Sequence, residues 1–201
     1  VPSNYAQKKR SGAIIADGPG VTTAGPTTGI RARPPKATVL HAIELPSRGG
    51  DTQFINMYLA YEDLPAETKR RIAGLRAIHV YQSSHSTRKL MTLAEERREI
   101  VPDAVLHPLV RQHPVTGRRA LYINPIRVEG IVELGEAAAL TLLDDLLAHA
   151  TQPKYEYRHE WQQNDLVMWD NRCLMHKANG DYDMNERRFL HRIMLKGEIP
   201  A

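Results

Sequence analysis

Apolar and polar positions along the chain change period several times, and each change marks an element. Thr38-Val39-Leu40-His41-Ala42-Ile43 is β-branched and apolar, with Pro34-Pro35 before it and Pro46-Ser47-Arg48-Gly49-Gly50 after it, which predicts a strand running into a turn. The spans 55–62 and 65–75 read as two short helices, the second opened by Pro65 and carrying Lys69, Arg70 and Arg71 on its polar side. A strand is expected over 77–81, a polar mobile segment or short surface helix over 92–98, and two strands, Leu109-Val110 and 120–123, about the turn His113-Pro114-Val115-Thr116-Gly117. The span 136–150 gives the clearest helix, with Leu140, Leu143, Leu146 and Leu147 at three- and four-residue spacing on one face. Alternation returns over 155–161, Gln163-Asn164 turns the chain, and strands follow over 166–169 and 188–195.

Strands outnumber helices in the C-terminal half, and the helices lie between groups of strands. This order predicts a mainly β protein, a sandwich or barrel with flanking helices. Residues 1–32 stand apart, because Gly18 to Gly29 is Gly, Pro and Thr with almost no large apolar side chain. That stretch is expected to be loop or disordered, leaving one domain over 33–201.

At 201 residues, with 42% hydrophobic and 25% charged, the chain suits one soluble domain. It has no apolar run of the roughly 18 residues a membrane span needs, and no leader pattern, so a cytoplasmic protein is expected. The net charge of +4 comes from basic residues interleaved with acids, an ordinary solvated surface rather than a nucleic-acid footprint. One cysteine, Cys173, excludes a disulfide framework and a cysteine-rich zinc site, so a metal would have to be held by His and carboxylates.

Candidate chemistry concentrates near the C-terminus. Trp169-Asp170-Asn171-Arg172 ends a predicted strand and His176 follows at the start of a loop, which puts an imidazole at the mouth of a barrel. Arg188, Leu190 and Arg192 share one face of the last strand, and at about 3.3 Å per residue the two guanidiniums stand roughly 13 Å apart. Guanidinium is suited to gripping carboxylate or sulfonate in a partly dry site, so one strand can offer two anion grips within one pocket.

Several runs then agree with one family. They are Asp165-Leu166-Val167-Met168-Trp169-Asp170-Asn171-Arg172 with the segment to Arg192, Glu44-Leu45-Pro46-Ser47-Arg48-Gly49-Gly50-Asp51-Thr52, and Asn56-Met57-Tyr58-Leu59-Ala60-Tyr61. His107-Pro108-Leu109-Val110-Arg111, His113-Pro114-Val115-Thr116-Gly117-Arg118 and Leu121-Tyr122-Ile123-Asn124 add the middle of the chain. Together they resemble, in order and over about residues 33 to 199, the taurine and 2,4-dichlorophenoxyacetate dioxygenases, which are Fe(II)- and 2-oxoglutarate-dependent oxygenases.

The resemblance implies a double-stranded β-helix, or jelly-roll, N-terminally incomplete here, with Fe(II) held by two His and one carboxylate. It implies hydroxylation of a small anionic organic substrate by molecular oxygen, with 2-oxoglutarate converted to succinate and carbon dioxide, in a protein that in this family is often a homo-oligomer. By the same resemblance His176 matches an iron ligand, and Thr52 and Arg188 match the grips on 2-oxoglutarate. Arg192 matches the arginine that reads the substrate's acid, and Tyr81 and Trp169 fall where pocket walls are expected, with a core aromatic as the alternative for each. The family's His-X-Asp, which would supply the other two ligands, falls by count from Thr52 at Gly25-Pro26-Thr27, and no His-X-Asp occurs in the 201 residues. An omitted or misjoined segment, a slipped frame or splice upstream of about Ile30, and true loss of the metal would each leave this pattern. A metal-free acid-binding protein on the same fold is therefore the alternative to the enzyme.

Overall fold

The computed structural model describes residues 31–86 and 104–201. The expectations for residues 1–32 and for 92–98 fall wholly or mostly outside the described residues. Among them the chain forms three three-stranded sheets and one two-stranded hairpin. The first sheet has the order β11 (Phe189–Leu195), β1 (Ala37–Glu44), β9 (Leu166–Asp170), and the second β10 (Leu174–Ala178), β2 (Thr52–Asn56), β8 (Glu156–His159). The third runs β4 (Val105–Pro108), β3 (Arg76–His79), β7 (Val128–Ile131), and the hairpin pairs β5 (Val110–Gln112) with β6 (Arg119–Leu121). Every pairing is antiparallel.

The first two sheets face each other. Leu40, Ala42, Trp169 and Leu190 of one pack on Phe54 of the other, with Tyr157, Val167 and Leu174 partly buried at the edge. A strand shows alternate side chains to opposite faces, so the pairings set which residues share this inner space. Trp169 lies level with Thr38, and Arg192 and Val167 with Leu40. Across the gap, Phe54 lies level with His176 and Tyr157, and Thr52 with Ala178 and His159.

The larger apolar core lies behind β2. It joins Ile55, Met57, Tyr58, Ile72, Leu109 and Leu121 to the buried face of the long helix. Because Phe54 and Ile55 are both buried, β2 is a wall shared by two cores.

Three α-helices, α1 (Met57–Glu62), α2 (Ala66–Ile72) and α3 (Glu136–Ala150), and a 3-10 turn, Pro153–Tyr155, complete the described chain. The expected helix from Ile55 starts later, because Ile55 and Asn56 finish β2 and the Asn56 side chain caps α1 by accepting from the N–H groups of Tyr58 and Leu59. The second helix stops at Ile72, and Gly74 beyond it takes φ +82°, a conformation open to glycine. The bounds of α3 match expectation, but its buried face is Ala139, Leu142, Leu146 and Ala150. Leu143 and Leu147 are only partly buried beside it. Two alanines let the helix approach its neighbours closely, and a face read from leucines alone is rotated away from them.

Candidate active site

The site is built where β9 turns into β10. Asp170 ends β9 and accepts the backbone N–H of Arg172 at 2.8 Å and its side chain at 2.9 Å (Nε) and 2.7 Å (Nη2). His113 Nδ1 accepts from the N–H groups of Val115 and Thr116, which leaves its Nε2–H to donate to Asp170 at 3.0 Å. Cys173 is buried in this turn and its thiol is pushed up to about 12, by burial first and by the Asp170 charge second. It is therefore no nucleophile at neutral pH.

With the turn fixed, β10 places His176 in the space between the two sheets. The sequence reading put His176 at the start of a loop; it lies in the middle of β10, opposite Phe54. Strand residues from 174 to 178 show little alternation in burial, which hides the strand in the sequence. The imidazole sits 4.7 Å from the Trp169 ring and 6.2 Å from Phe54 by centroids. Burial, and then the charge of Arg192, lower its pKa to about 4, so the ring is neutral at pH 7 and keeps a lone pair for a ligand.

Arg188, Leu190 and Arg192 do point to one side, as the alternation predicts: Arg188 and Leu190 are buried, Arg192 is half-buried, and His191 and Ile193 between and beyond them are exposed. Among the described residues Arg192 Nη1 is buried with no hydrogen-bond partner, and so is Trp169 Nε1. A buried donor left unmet costs about 1–3 kcal/mol, more when charged, so two of them in one space mark a place for an acceptor.

Thr52 is buried at the first position of β2, behind the turn Gly49-Gly50-Asp51. Gly49 and Gly50 both have φ +73°. A Cβ on Gly49 would meet the Asp181 carbonyl at 2.5 Å, and one on Gly50 would meet Arg188 Nε at 3.0 Å, so the turn needs glycine at both positions. The turn is tied to the loop after β10: Gly50 N–H donates to Asp181, and Arg158 bridges Asp51 and Asp181. Arg188 Nε donates to the Gly50 carbonyl at 3.0 Å, which brings that guanidinium to the chain two residues before Thr52. The Thr52 hydroxyl oxygen accepts the indole N–H of Trp161 at 3.1 Å.

The structure thus brings His176, Arg192, Trp169, Thr52 and Arg188 to one pair of facing sheets. Tyr81 is placed differently: it follows β3 of the third sheet, under the Arg127 guanidinium, which also donates to the Tyr81 carbonyl. His79 and His107 pack on each other and on Tyr122 in that sheet. His79, driven down to about 3 by burial and by the charges of His107 and Arg127, is a neutral core histidine. Missed in the sequence were Trp161, His159 and Asp165, whose only signal was the alternation of His159 and Trp161, and the partnership of His113 with Asp170. Among the described residues no three His, Cys, Asp or Glu side chains converge to hold a metal ion. His176 is surrounded by aromatic rings instead, so the described residues do not complete a facial triad, whereas the guanidinium and hydroxyl donors fit an organic acid.

Known proteins agree with this frame. The chain is 43% identical over 162 residues to an alpha-ketoglutarate-dependent 2,4-dichlorophenoxyacetate dioxygenase of Burkholderia sp. (strain RASC), covering 80% of the chain and 53% of that protein. It is 37% identical over 181 residues to pentalenolactone F synthase of Streptomyces arenae, covering 85% of the chain and 60% of the synthase. The crystal structure of AAD-2 in complex with Mn(II) and N-oxalylglycine superposes with a TM-score of 0.75 at 35% identity, over 86% of this chain and 63% of that one. The chain spans a little over half the length of the curated relatives it matches. The sequence profile described as taurine catabolism dioxygenase TauD, TfdA family matches residues 23–194, and with the facing sheets and their shared polar space this establishes that the chain belongs to that family.

Proposed function

We propose that the protein is a 2-oxoglutarate-dependent dioxygenase of the non-haem iron class acting on a small anionic organic substrate, on a jelly-roll frame. This chain supplies the pocket walls that hold the two acids. Thr52 and Arg188 take the distal carboxylate of 2-oxoglutarate, Arg192 takes the acidic group of the substrate, and Trp169 forms a wall. Relatives named for phenoxyacetate, phenoxypropionate and sulfate ester substrates, all anions, support an acid as the substrate class. The single observation that carries the reading is the buried Arg192 Nη1, which has no hydrogen-bond partner among the described residues. A charged donor in that state gains most from an incoming anion, because the ligand removes an unmet desolvation cost as well as adding a hydrogen bond.

His176 is the one residue here that matches an iron ligand, and no iron-dependent step is assigned to the described residues. The Arg192 donor would serve equally in a second reading, a metal-free acid-binding protein. Anaerobic calorimetry with 2-oxoglutarate, with and without Mn(II), followed by succinate assay under air with Fe(II), separates the two. Binding that tightens more than about tenfold with metal, with succinate released, supports the enzyme. Equal binding in both conditions without succinate supports the acid-binding protein, and no heat at millimolar 2-oxoglutarate overturns both.

A further inference from the structure

We propose that Trp161 is a positioning residue that turns the Thr52 hydroxyl into a dedicated donor toward the inter-sheet space, and thereby sets the preference for an oxo acid with a distal carboxylate. The inference rests on the assignment of Thr52 to the cosubstrate, and it assigns a role to a side chain outside that assignment.

An indole N–H can only donate, so the 3.1 Å contact from Trp161 Nε1 makes Thr52 Oγ1 the acceptor. With an N–H already directed at the oxygen, the hydroxyl hydrogen cannot lie on that side. It is left to point at an acceptor elsewhere, and a carboxylate, which only accepts, is its natural complement. A threonine without such a neighbour could rotate its hydroxyl and present a lone pair, which would repel an anion.

Trp161 is itself held firmly. The His159 ring meets it edge-on, at 4.4 Å between centroids and 83° between planes. His159 Nε2 donates to Asp165 at 3.1 Å, and its Nδ1 lies 3.3 Å from the Tyr157 hydroxyl, which donates to it. The same Asp165 oxygen accepts the N–H of Gln162, the residue after Trp161, at 2.9 Å. One carboxylate therefore fixes both the ring that Trp161 packs on and the backbone that carries Trp161. His159 is also the register partner of Thr52 across β8 and β2, so the relay Asp165, His159, Trp161, Thr52 starts in the turn before β9 and ends beside the strand that carries His159.

Trp161→Phe keeps a ring against His159 and removes the N–H. Calorimetry should show 2-oxoglutarate affinity about five- to tenfold weaker, the worth of one hydrogen bond. Binding of 2-oxovalerate, which has the same five-carbon chain and 2-oxo acid but no distal carboxylate, should not change. Thr52→Val should give the same selective loss, and the double variant no further loss, because both changes remove one function. Losses equal for the two acids, or additive between the variants, would assign Trp161 to packing and overturn the proposal. Wild-type protein that does not bind 2-oxoglutarate would instead sink the cosubstrate assignment. Wild-type binding with an unaffected Trp161→Phe variant sinks the relay alone.

Discussion

The two faces of β9 treat polar groups in opposite ways. Asp170 itself faces a closed set of partners, the His113 ring and the Arg172 backbone and side chain, and Arg172 leads on to the Glu198 carboxylate, which also takes Nη2 of Arg111, whose Nε and Nη1 are unmet among the described residues. Its neighbour Trp169 faces the inter-sheet space, where its own Nε1 and the Nη1 of Arg192 have no partner among the described residues. Two half-buried arginines make the same contrast. Arg172, gripped by Asp170, is held above the ordinary guanidinium range, whereas Arg192 keeps an unmet donor beside a neutral His176. Met donors lock architecture, and unmet donors in a shared space reserve it for a ligand.

The largest expected effect breaks the closed side. Asp170→Ala leaves the His113 N–H and the Arg172 fork without their acceptor, and removing one partner of a largely buried ionic set costs about 3 kcal/mol. Urea unfolding should show that loss, with the slope of the transition unchanged. The acid limb sharpens the test. Burial pushes the Asp170 carboxyl upward, but the Arg172 side chain and N–H and the His113 ring outweigh it and hold the carboxyl below its usual value. A carboxyl lower in the folded state adds stability above its unfolded pKa of about 4, and that stability is lost as pH falls through the folded value. Wild-type stability should therefore fall more steeply with acid than that of Asp170→Asn.

The next effect belongs to the open side and should have the opposite character. Arg192→Leu removes a buried donor that nothing in the described protein meets. Thermal stability should hold or rise, since an apolar side chain fits the surroundings of Leu40 and Val167 without desolvating a charge. Affinity for the substrate acid should fall by about 2 kcal/mol, roughly thirtyfold, read by calorimetry with 2,4-dichlorophenoxyacetate as the probe. A stability loss as large as that of Asp170→Ala would mean Arg192 belongs to the architecture, and the contrast between the faces would fail.

How much of this was legible beforehand differs in the same way. Strands β1, β9 and β11, the hairpin about His113–Gly117 and the bounds of α3 came from periodicity and turn residues, because each buries one face and punctuates its ends. Strand β2 was hidden because Phe54 and Ile55 are both buried, which erases alternation, and because it runs directly into a helix capped by its own last residue. The grouping of Arg188 with Arg192 on one side followed from a period of two. The closed network and the Trp161–Thr52 contact did not, since His113 and Asp170 are 57 residues apart and Thr52 and Trp161 are 109 apart, and only the assembled sheets make each pair neighbours. The surroundings of Tyr81 were hidden in the same way, because its place in the chain gives no hint that Arg127 covers its ring.

The smallest effect tests whether the alternation in β11 divides function as cleanly as it divides burial. Ile193 follows Arg192, points outward and is 52% exposed, between the register neighbours Val39 and, beyond it, Met168, which is 62% exposed. Threonine is also β-branched and suits a strand, so Ile193→Thr changes the outer surface while leaving the backbone preference intact. Stability should stay within about 0.5 kcal/mol and acid affinity should not move. A loss of several times that size would show that another layer covers the apolar row Met168, Val39 and Ile193. The first sheet would then be buried on both faces, and exposure could no longer be used to tell its structural side from its ligand side.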